Sequence, residues 1–349
     1  MSKKLNEPYL RPNLSNAGTL PDGQEPLAQC PDIWCAGDTP VADFQNALAA
    51  DEYYSKASDT SYVAGHDNYF YLRLKNGSAE DVKDISAQLF YAPASLICWP
   101  SAWNPVPVEN HDKGDTTNSF DTVAPGAVGV VKAPFLLPST LSVGENYCLV
   151  ARIWSDKYPN PMPEELNPIY ISSMLTSHLF WGQNNMAKIS AGSSPTVENA
   201  FNIAIPAESY GKGDAWILEM QTKNVEGRGI EVEIRNSRTD DRGKQISLVK
   251  QQAVKDMLIG YFHLKKGYSS QMSIYVYLPN GYVVKGDERF KINMAYVVNN
   301  EEYQLSKTLN LINDKMKTDM LDALNEHGDS VGQVDGVIKV GEYTVCLKP

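Results

Sequence analysis

The chain has 349 residues, 42% hydrophobic and 21% charged, which exceeds one ordinary core and supplies apolar material for two. Its 42 acidic and 31 basic side chains leave a net charge of −11, which opposes attachment to nucleic acid or anionic lipid. No window holds the roughly 18 to 20 apolar residues of a membrane-spanning helix, because "FLLPSTLSV" and "MLTSHLFWG" are short and interrupted.

The opening "MSKKLNEPYLRPNLSNAG" lacks the apolar core and small-residue cleavage site of a secretory leader. That predicts a cytoplasmic protein, or one exported without a cleaved signal peptide. Residues 1–29, rich in Asn, Pro, Gly and Gln, read as an arm on the surface or partly disordered.

From Ile33 onward, short runs of β-branched and aromatic residues alternate with Gly, Pro, Asn and Asp clusters, the pattern of antiparallel sandwiches. In "NYFYLRLKNGS" (68–78), Phe70, Leu72 and Leu74 share one face, and Asn76–Gly77 ends the strand in a turn. "ISAQLFYAP" (85–93) is expected to pair with it antiparallel, followed by "AVGVVKAPFLLP" (127–138), "NYCLVARIWSD" (146–156) and "HLFWGQNNMAKIS" (178–190). These define a first β-sandwich over 30–190, immunoglobulin-like in strand number. The small, polar "AGSSPTVE" places a linker at 191–198.

Strand signals resume over 199–349, where "MSIYVYLPNGYVV" reads as a hairpin. Between Tyr303 and Glu326, apolar residues at spacings of three and four (Leu305, Leu309, Ile312, Met316, Met320, Leu324) predict an amphipathic helix over about 303–327. The terminal "GVIKVGEYTVCLKP" predicts a closing strand. The predicted fold class is all-β: two antiparallel β-sandwich domains with one late helix in the second.

The pieces "PDIW" (31–34), "NYFYLRLKNGSAEDV" (68–82), "LFYAP" (89–93) and "NYCLVARIWS" (146–155) resemble bacterial immunoglobulin-like domains that open on a Pro-Asp-Ile-Trp strand. They mark strands and turns and carry no catalytic residues, so the resemblance implies fold and not activity. In size, in its two successive sandwiches and in its late helix, the whole chain is similar to accessory proteins of the motility-associated killing factor group, encoded beside flagellum-exported tripartite pore-forming toxins. That resemblance implies an accessory, partner-binding role in a bacterial toxin system, with toxin components among the partners.

Chemistry-bearing motifs are sparse. Cys30 and Cys35 in "CPDIWC" lack the second ligand pair of a zinc site and the Cys-x-x-Cys spacing of a redox site, which leaves a mutual disulfide as the open question. His66–Asp67 and His111–Asp112 fall in turn-like loops, and the acidic loops 111–121 and 238–244 lack the spacing of a calcium loop. No nucleophile elbow, P-loop, zincin or dinucleotide motif occurs, so no catalytic, cofactor or metal residue is assigned. The aromatic content is the remaining signal. Trp99 and Trp103 in "CWPSAWNPVP" and Tyr53 and Tyr54 in "DEYYSK" are the candidate partner-binding residues, with Trp34 and Trp154 assigned to the core. The predicted function is a non-enzymatic protein that binds another protein by an edge strand or by loop aromatics; the alternative is a carbohydrate-binding or adhesin-like module, which predicts coplanar exposed aromatics on one sandwich face.

Overall fold

Nine residues of alternating pattern, Asn68–Asn76, form the strand around which the first half is organised, with Phe70, Leu72 and Leu74 all buried. A computed structural model describes residues 5–20, 27–58, 62–63, 65–109, 114–140, 147–163, 167–176, 179–185, 189–190, 196–209, 214–286, 288–309, 311–312, 314, 317–318, 321–322 and 334–348. The chain divides into two compact units: Met1–Pro93, Ala102–Met162 and Met174–Met186 form unit 1, and Ala94–Ser101, Pro163–Ser173 and Ala187–Pro349 form unit 2. The longest segment of unit 2 runs from Ala187, and the unit also takes two segments from the first half of the chain; residues 191–195 of the predicted 191–198 linker lie outside the described residues.

Unit 1 contains β1 (Pro8–Tyr9), β2 (Ile33–Gly37), β3 (Asn68–Asn76), β4 (Ser86–Pro93), β5 (Asn104–Pro105), β6 (Asn118–Ser119), β7 (Val128–Val130), β8 (Phe135–Leu137), β9 (Tyr147–Trp154) and β10 (Trp181–Asn185). One sheet centres on β3, with β1 and β2 along one side and β7 and β8 along the other. The second runs β10-β9-β4-β5, with β6 also on β4. Two short helices, α1 (Phe44–Ala49) and α2 (Asp51–Tyr54), follow β2.

β1 pairs with Lys75 and Asn76, and β2 with residues 69–72, so together they make one interrupted strand beside β3. A buried ion cluster sits at the break. The carboxylate of Asp32, fully buried, accepts from the Arg11 backbone N–H at 2.7 Å and from the Arg11 guanidinium at 2.5 to 3.2 Å. Arg73 of β3 brings its Nη2 within 3.6 Å of Asp32 Oδ1 and donates to the carbonyls of Pro31 and Lys56. Burial opposes the charge of Arg11, but its hydrogen bonds to Asp32 outweigh that and raise its pKa; for Arg73 burial prevails and lowers it.

Over its described residues, 5–20 and 27–29, the N-terminal segment is consequently not a surface arm. Leu5, Tyr9, Leu10 and Arg11 are buried, and Leu5, Tyr9, Leu179 and Leu20 pack together. Composition concealed this because an interrupted strand needs only two paired residues and one buried guanidinium. Replacing Asp32 by Asn would leave two buried guanidinium groups without their counter-charge. We expect Asp32→Asn to lower stability by about 3 to 5 kcal/mol, read as a fall in the urea midpoint.

Unit 2 contains β11 (Ile189–Ser190), β12 (Thr196–Ala204), β13 (Ala215–Lys223), β14 (Glu231–Asn236), β15 (Leu248–Gln252), β16 (Asp256–His263), β17 (Ser269–Tyr277), β18 (Glu288–Val298) and β19 (Gly336–Lys348). Two sheets run β11-β19-β18-β13-β16 and β12-β17-β14-β15. Among the described residues, its strand pairs are antiparallel except the short β11–β19 pair, and Ser95 and Asn202 form an isolated parallel bridge. The sheets meet through their inward faces, where Phe201 of β12 stacks on Tyr343 of β19 at 4.6 Å and the Tyr343 hydroxyl bonds Asn199. The protein is thus mainly β, as its alternation predicts.

Besides α3 (Pro168–Thr176), a late helix α4 (Asn300–Thr308) starts at a capping box, in which Asn299 accepts from the N–H groups of Glu301 and Glu302. The continuous helix predicted over 303–327 does not form. The helix ends at Thr308, Leu311 is buried and Ile312 bridges to Ile338, after which residues 314, 317–318 and 321–322 are helical. The bridge at Ile312 gives this segment a strand partner and an apolar contact over Gly336, where a methyl group would meet Ile312 Cδ1 at 2.6 Å. Periodicity of three and four cannot see that partner.

Candidate functional site

The sequence-predicted aromatics disperse into packing roles. Trp99, 2% exposed, belongs to unit 2 and donates its indole N–H to the Ala204 carbonyl at 2.6 Å. Trp103, 9% exposed, belongs to unit 1 and packs between Phe90 and Trp181, each 5.4 Å away between ring centroids. The Tyr54 ring lies under the Arg11 guanidinium at 3.5 Å, with the Lys75 ammonium at 5.0 Å, so it serves the Asp32 cluster. The Tyr53 side chain lies outside the described residues. None of the three described side chains presents a free stacking face.

The hexapeptide "CPDIWC" resolves similarly. Cys30 and Cys35 are buried and not joined by a disulfide, and burial together with the nearby Asp32 charge pushes the Cys30 thiol up to about 12. A neutral thiol is a poor nucleophile and a poor metal ligand. Trp34 is buried, with the Arg73 guanidinium 4.8 Å over its ring, whereas Trp154 is half-buried beneath Arg152 at 4.3 Å. His66 lies on the surface 3.6 Å from Asp38, and His111 and His178 fall outside the described residues. Asp240 in the 238–244 loop is spent on the N–H groups of Arg242, Lys244 and His263. Among the described residues no group of three or more His, Cys, Asp or Glu could hold a metal ion, and no helix is long and apolar enough to cross a membrane.

One face of unit 2 joins aromatic, acidic and basic side chains on regular strands. In β17 the inward residues Met272, Ile274 and Val276 are fully buried, which turns Ser273, Tyr275 and Tyr277 outward. On one side Glu198 of β12 stands opposite Tyr275; on the other, Glu233 and Glu231 of β14 stand opposite Tyr275 and Tyr277. The two tyrosine rings are nearly parallel, 22° apart with centroids separated by 6.5 Å.

Every polar end of this pair is held. The Tyr275 hydroxyl donates to Glu198 at 2.8 Å and that of Tyr277 to Glu233 at 2.6 Å. Glu233 also takes a two-point contact from Arg235, at 2.7 and 2.9 Å. Arg235 covers the Tyr275 ring at 4.5 Å, and Lys250, paired with Glu231 at 3.0 Å, covers Tyr277 at 4.1 Å. The Arg235 and Tyr277 hydrogen bonds lower the Glu233 pKa, and the bond to Glu233 raises that of Tyr277. Sequence reasoning saw this strand but missed its face. The alternation of Tyr275 and Tyr277 was readable, whereas the neighbours that bring Glu198, Glu233 and Arg235 to it are distant in the chain.

The other sheet carries charge where water does not reach. Lys291 and Asn293 of β18 and Lys339 and Glu342 of β19 are buried, with Lys339 donating to Glu342 at 2.6 Å and Asn293 to Glu219 at 2.9 Å. Burial, reinforced by the Lys339 charge, lowers the Lys291 pKa to about 8. Between about pH 8 and the ordinary lysine range near 10.4 the unfolded chain binds the proton that the folded chain does not, so stability rises with pH across that window. Below it the full burial penalty applies. We expect Lys291→Met to raise stability at pH 7 by about 1 to 3 kcal/mol and to flatten the rise above pH 8, as measured by urea unfolding over a pH series.

No family model and no curated protein matches the chain. Among solved structures it is similar to red sea bream transglutaminase, at 12% identity and a TM-score of 0.21, covering 85% of this chain and 32% of that one. It is also similar to the CupB6 tip adhesin of Pseudomonas aeruginosa (9% identity, TM-score 0.18, 81% of this chain and 91% of that). A third is CfaE, the adhesive subunit of CFA/I fimbria of enterotoxigenic Escherichia coli (9%, 0.22, 100% and 94%). The chain thus spans about a third of the transglutaminase and nearly the whole of each adhesin. Likenesses at these scores assign no activity to it.

Proposed function

We propose that this is a non-enzymatic binding protein that recognises another protein through the Tyr275–Tyr277 face of unit 2. The supporting observation is the pair of near-parallel tyrosines fixed by carboxylates and capped by Arg235 and Lys250. Tyrosine and arginine dominate the energetics of protein interfaces, and side chains already held in place lose little entropy when a partner docks. The two routes expected from sequence have less support. Trp99 and Trp103 are buried, and the open edge strand β15 carries a bulge opposite Glu233 together with Lys250, two devices that hinder strand addition.

A chain of net charge −11 draws a partner of opposite sign. The toxin-associated setting is what the resemblance in size and in the succession of two sandwiches with a late helix implies, and it makes the products of neighbouring genes the first partners to test. In a pull-down with those products, Tyr275→Ala/Tyr277→Ala should weaken retention at least about tenfold while thermal unfolding stays cooperative. Added salt should slow association. Unchanged retention by the folded double variant would remove this face from the interface. Near-parallel half-exposed rings also favour the carbohydrate reading, and selective retention on a glycan array with no protein partner would establish it instead.

A further inference from the structure

The chain contains two Asn–Gly dipeptides, Asn76–Gly77 and Asn280–Gly281, and the fold treats them oppositely. In this dipeptide the glycine nitrogen can attack the preceding carboxamide carbon, since no side chain on glycine obstructs the approach. The reaction requires that nitrogen to be free of hydrogen bonds and the carboxamide to be free to turn.

At Asn76 both requirements fail. The side chain is fully buried at the end of β3; its Nδ2 donates to the carbonyls of Glu80 and Val123, each at 2.8 Å. Its Oδ1 accepts from the Ser78 N–H at 2.9 Å and from the Ser78 hydroxyl at 2.7 Å. The would-be nucleophile, the Gly77 N–H, donates to the Glu7 carbonyl at 3.1 Å. The N-terminal segment thus protects this site directly.

At Asn280 both are met. Asn280 and Gly281 are exposed at the centre of a turn closed by the Tyr282 N–H on the Pro279 carbonyl at 3.0 Å. Gly281 has φ +72°, with nothing within 4 Å of where a Cβ would stand. Among the described residues, neither the Gly281 N–H nor the Asn280 side chain has a hydrogen-bond partner.

We infer that Asn280 is a site of spontaneous deamidation and that Asn76, the same dipeptide, is protected by the fold. Solvent base removes the Gly281 amide proton, the nitrogen bonds to Asn280 Cγ, and Nδ2 leaves as ammonia with a proton from water. Water then opens the resulting succinimide at either carbonyl to give aspartate or isoaspartate. One water is consumed, one ammonia is released and no electrons change hands. The product adds a negative charge three residues beyond Tyr277, and this chemistry stands independently of what the tyrosine face binds.

The test is peptide mapping by mass spectrometry after incubation of the folded chain at mildly alkaline pH, beside a sample in denaturing urea. In the folded protein Asn280 should deamidate at least about tenfold faster than Asn76, because several buried hydrogen bonds must break before Asn76 can react. In urea the two should react at similar rates. Asn280→Gln, which disfavours the five-membered ring, should abolish the acidic species of the folded sample on ion exchange. An intact Asn280 in folded protein, under conditions where the denatured chain reacts at both sites, would overturn the inference. So would comparable reaction of Asn76 in the folded protein.

Discussion

A carboxylate sealed from water organises the first unit. Once Asp32 is buried its charge must be met inside the protein, and among the described residues two cations meet it: Arg11 from the N-terminal segment and Arg73 from the central strand. The geometry joins β1 and β2 into one interrupted strand. The Tyr54 ring packs under Arg11 and Trp34 under Arg73, so the same two cations tie these aromatics to the cluster, with the buried Cys30 thiol beside it. The same docking of the N-terminal segment sets the Glu7 carbonyl on the Gly77 amide, joining a global packing constraint to a local chemical one.

The second unit shows how one period-two pattern yields two different outcomes. On β12, β14 and β17, outward side chains meet in water, where carboxylates, tyrosines and cations arrange themselves at modest energetic stakes and the resulting surface can serve recognition. On β18 and β19 the same alternation leaves Lys291, Asn293, Lys339 and Glu342 buried, where every charge depends on its neighbours. The distinction is burial alone, since strand alternation treats the two sets identically.

The tyrosine face also explains why aromatic counting pointed elsewhere. Tryptophans beside prolines look like loop residues, yet Trp99 finds a backbone acceptor and Trp103 two aromatic neighbours, and large apolar area with one polar atom satisfied is a stable buried state. Tyr275 and Tyr277 sit inside a strand and would be taken for core by the same habit. Alternation with three buried neighbours turns them outward, and their hydroxyls find carboxylates there.

Local pattern by itself determined the strand content, the turns at Asn76–Gly77 and Asn280–Gly281 and the all-β class, because alternation and turn chemistry act between residues adjacent in sequence. It did not determine pairing: the hairpin expected at Asn280–Gly281 does not form, because β17 and β18 enter different sheets, as do β3 and β4. It placed Asp32, Tyr275 and Tyr277 in strand segments without giving their roles, and it gave Tyr54 a partner-binding role where the fold packs its ring under Arg11. Only the tertiary structure decided that the first residues complete a sheet, that the predicted helix stops at Thr308 for a bridge to Ile338, and that segments 94–101 and 163–173 belong to unit 2. Those outcomes rest on pairings across tens to hundreds of residues, such as Arg11 with Asp32 or Glu198 with Tyr275. No short-range periodicity encodes which strand will stand beside which, and the electrostatic partners of a buried or outward-facing side chain are set by that choice.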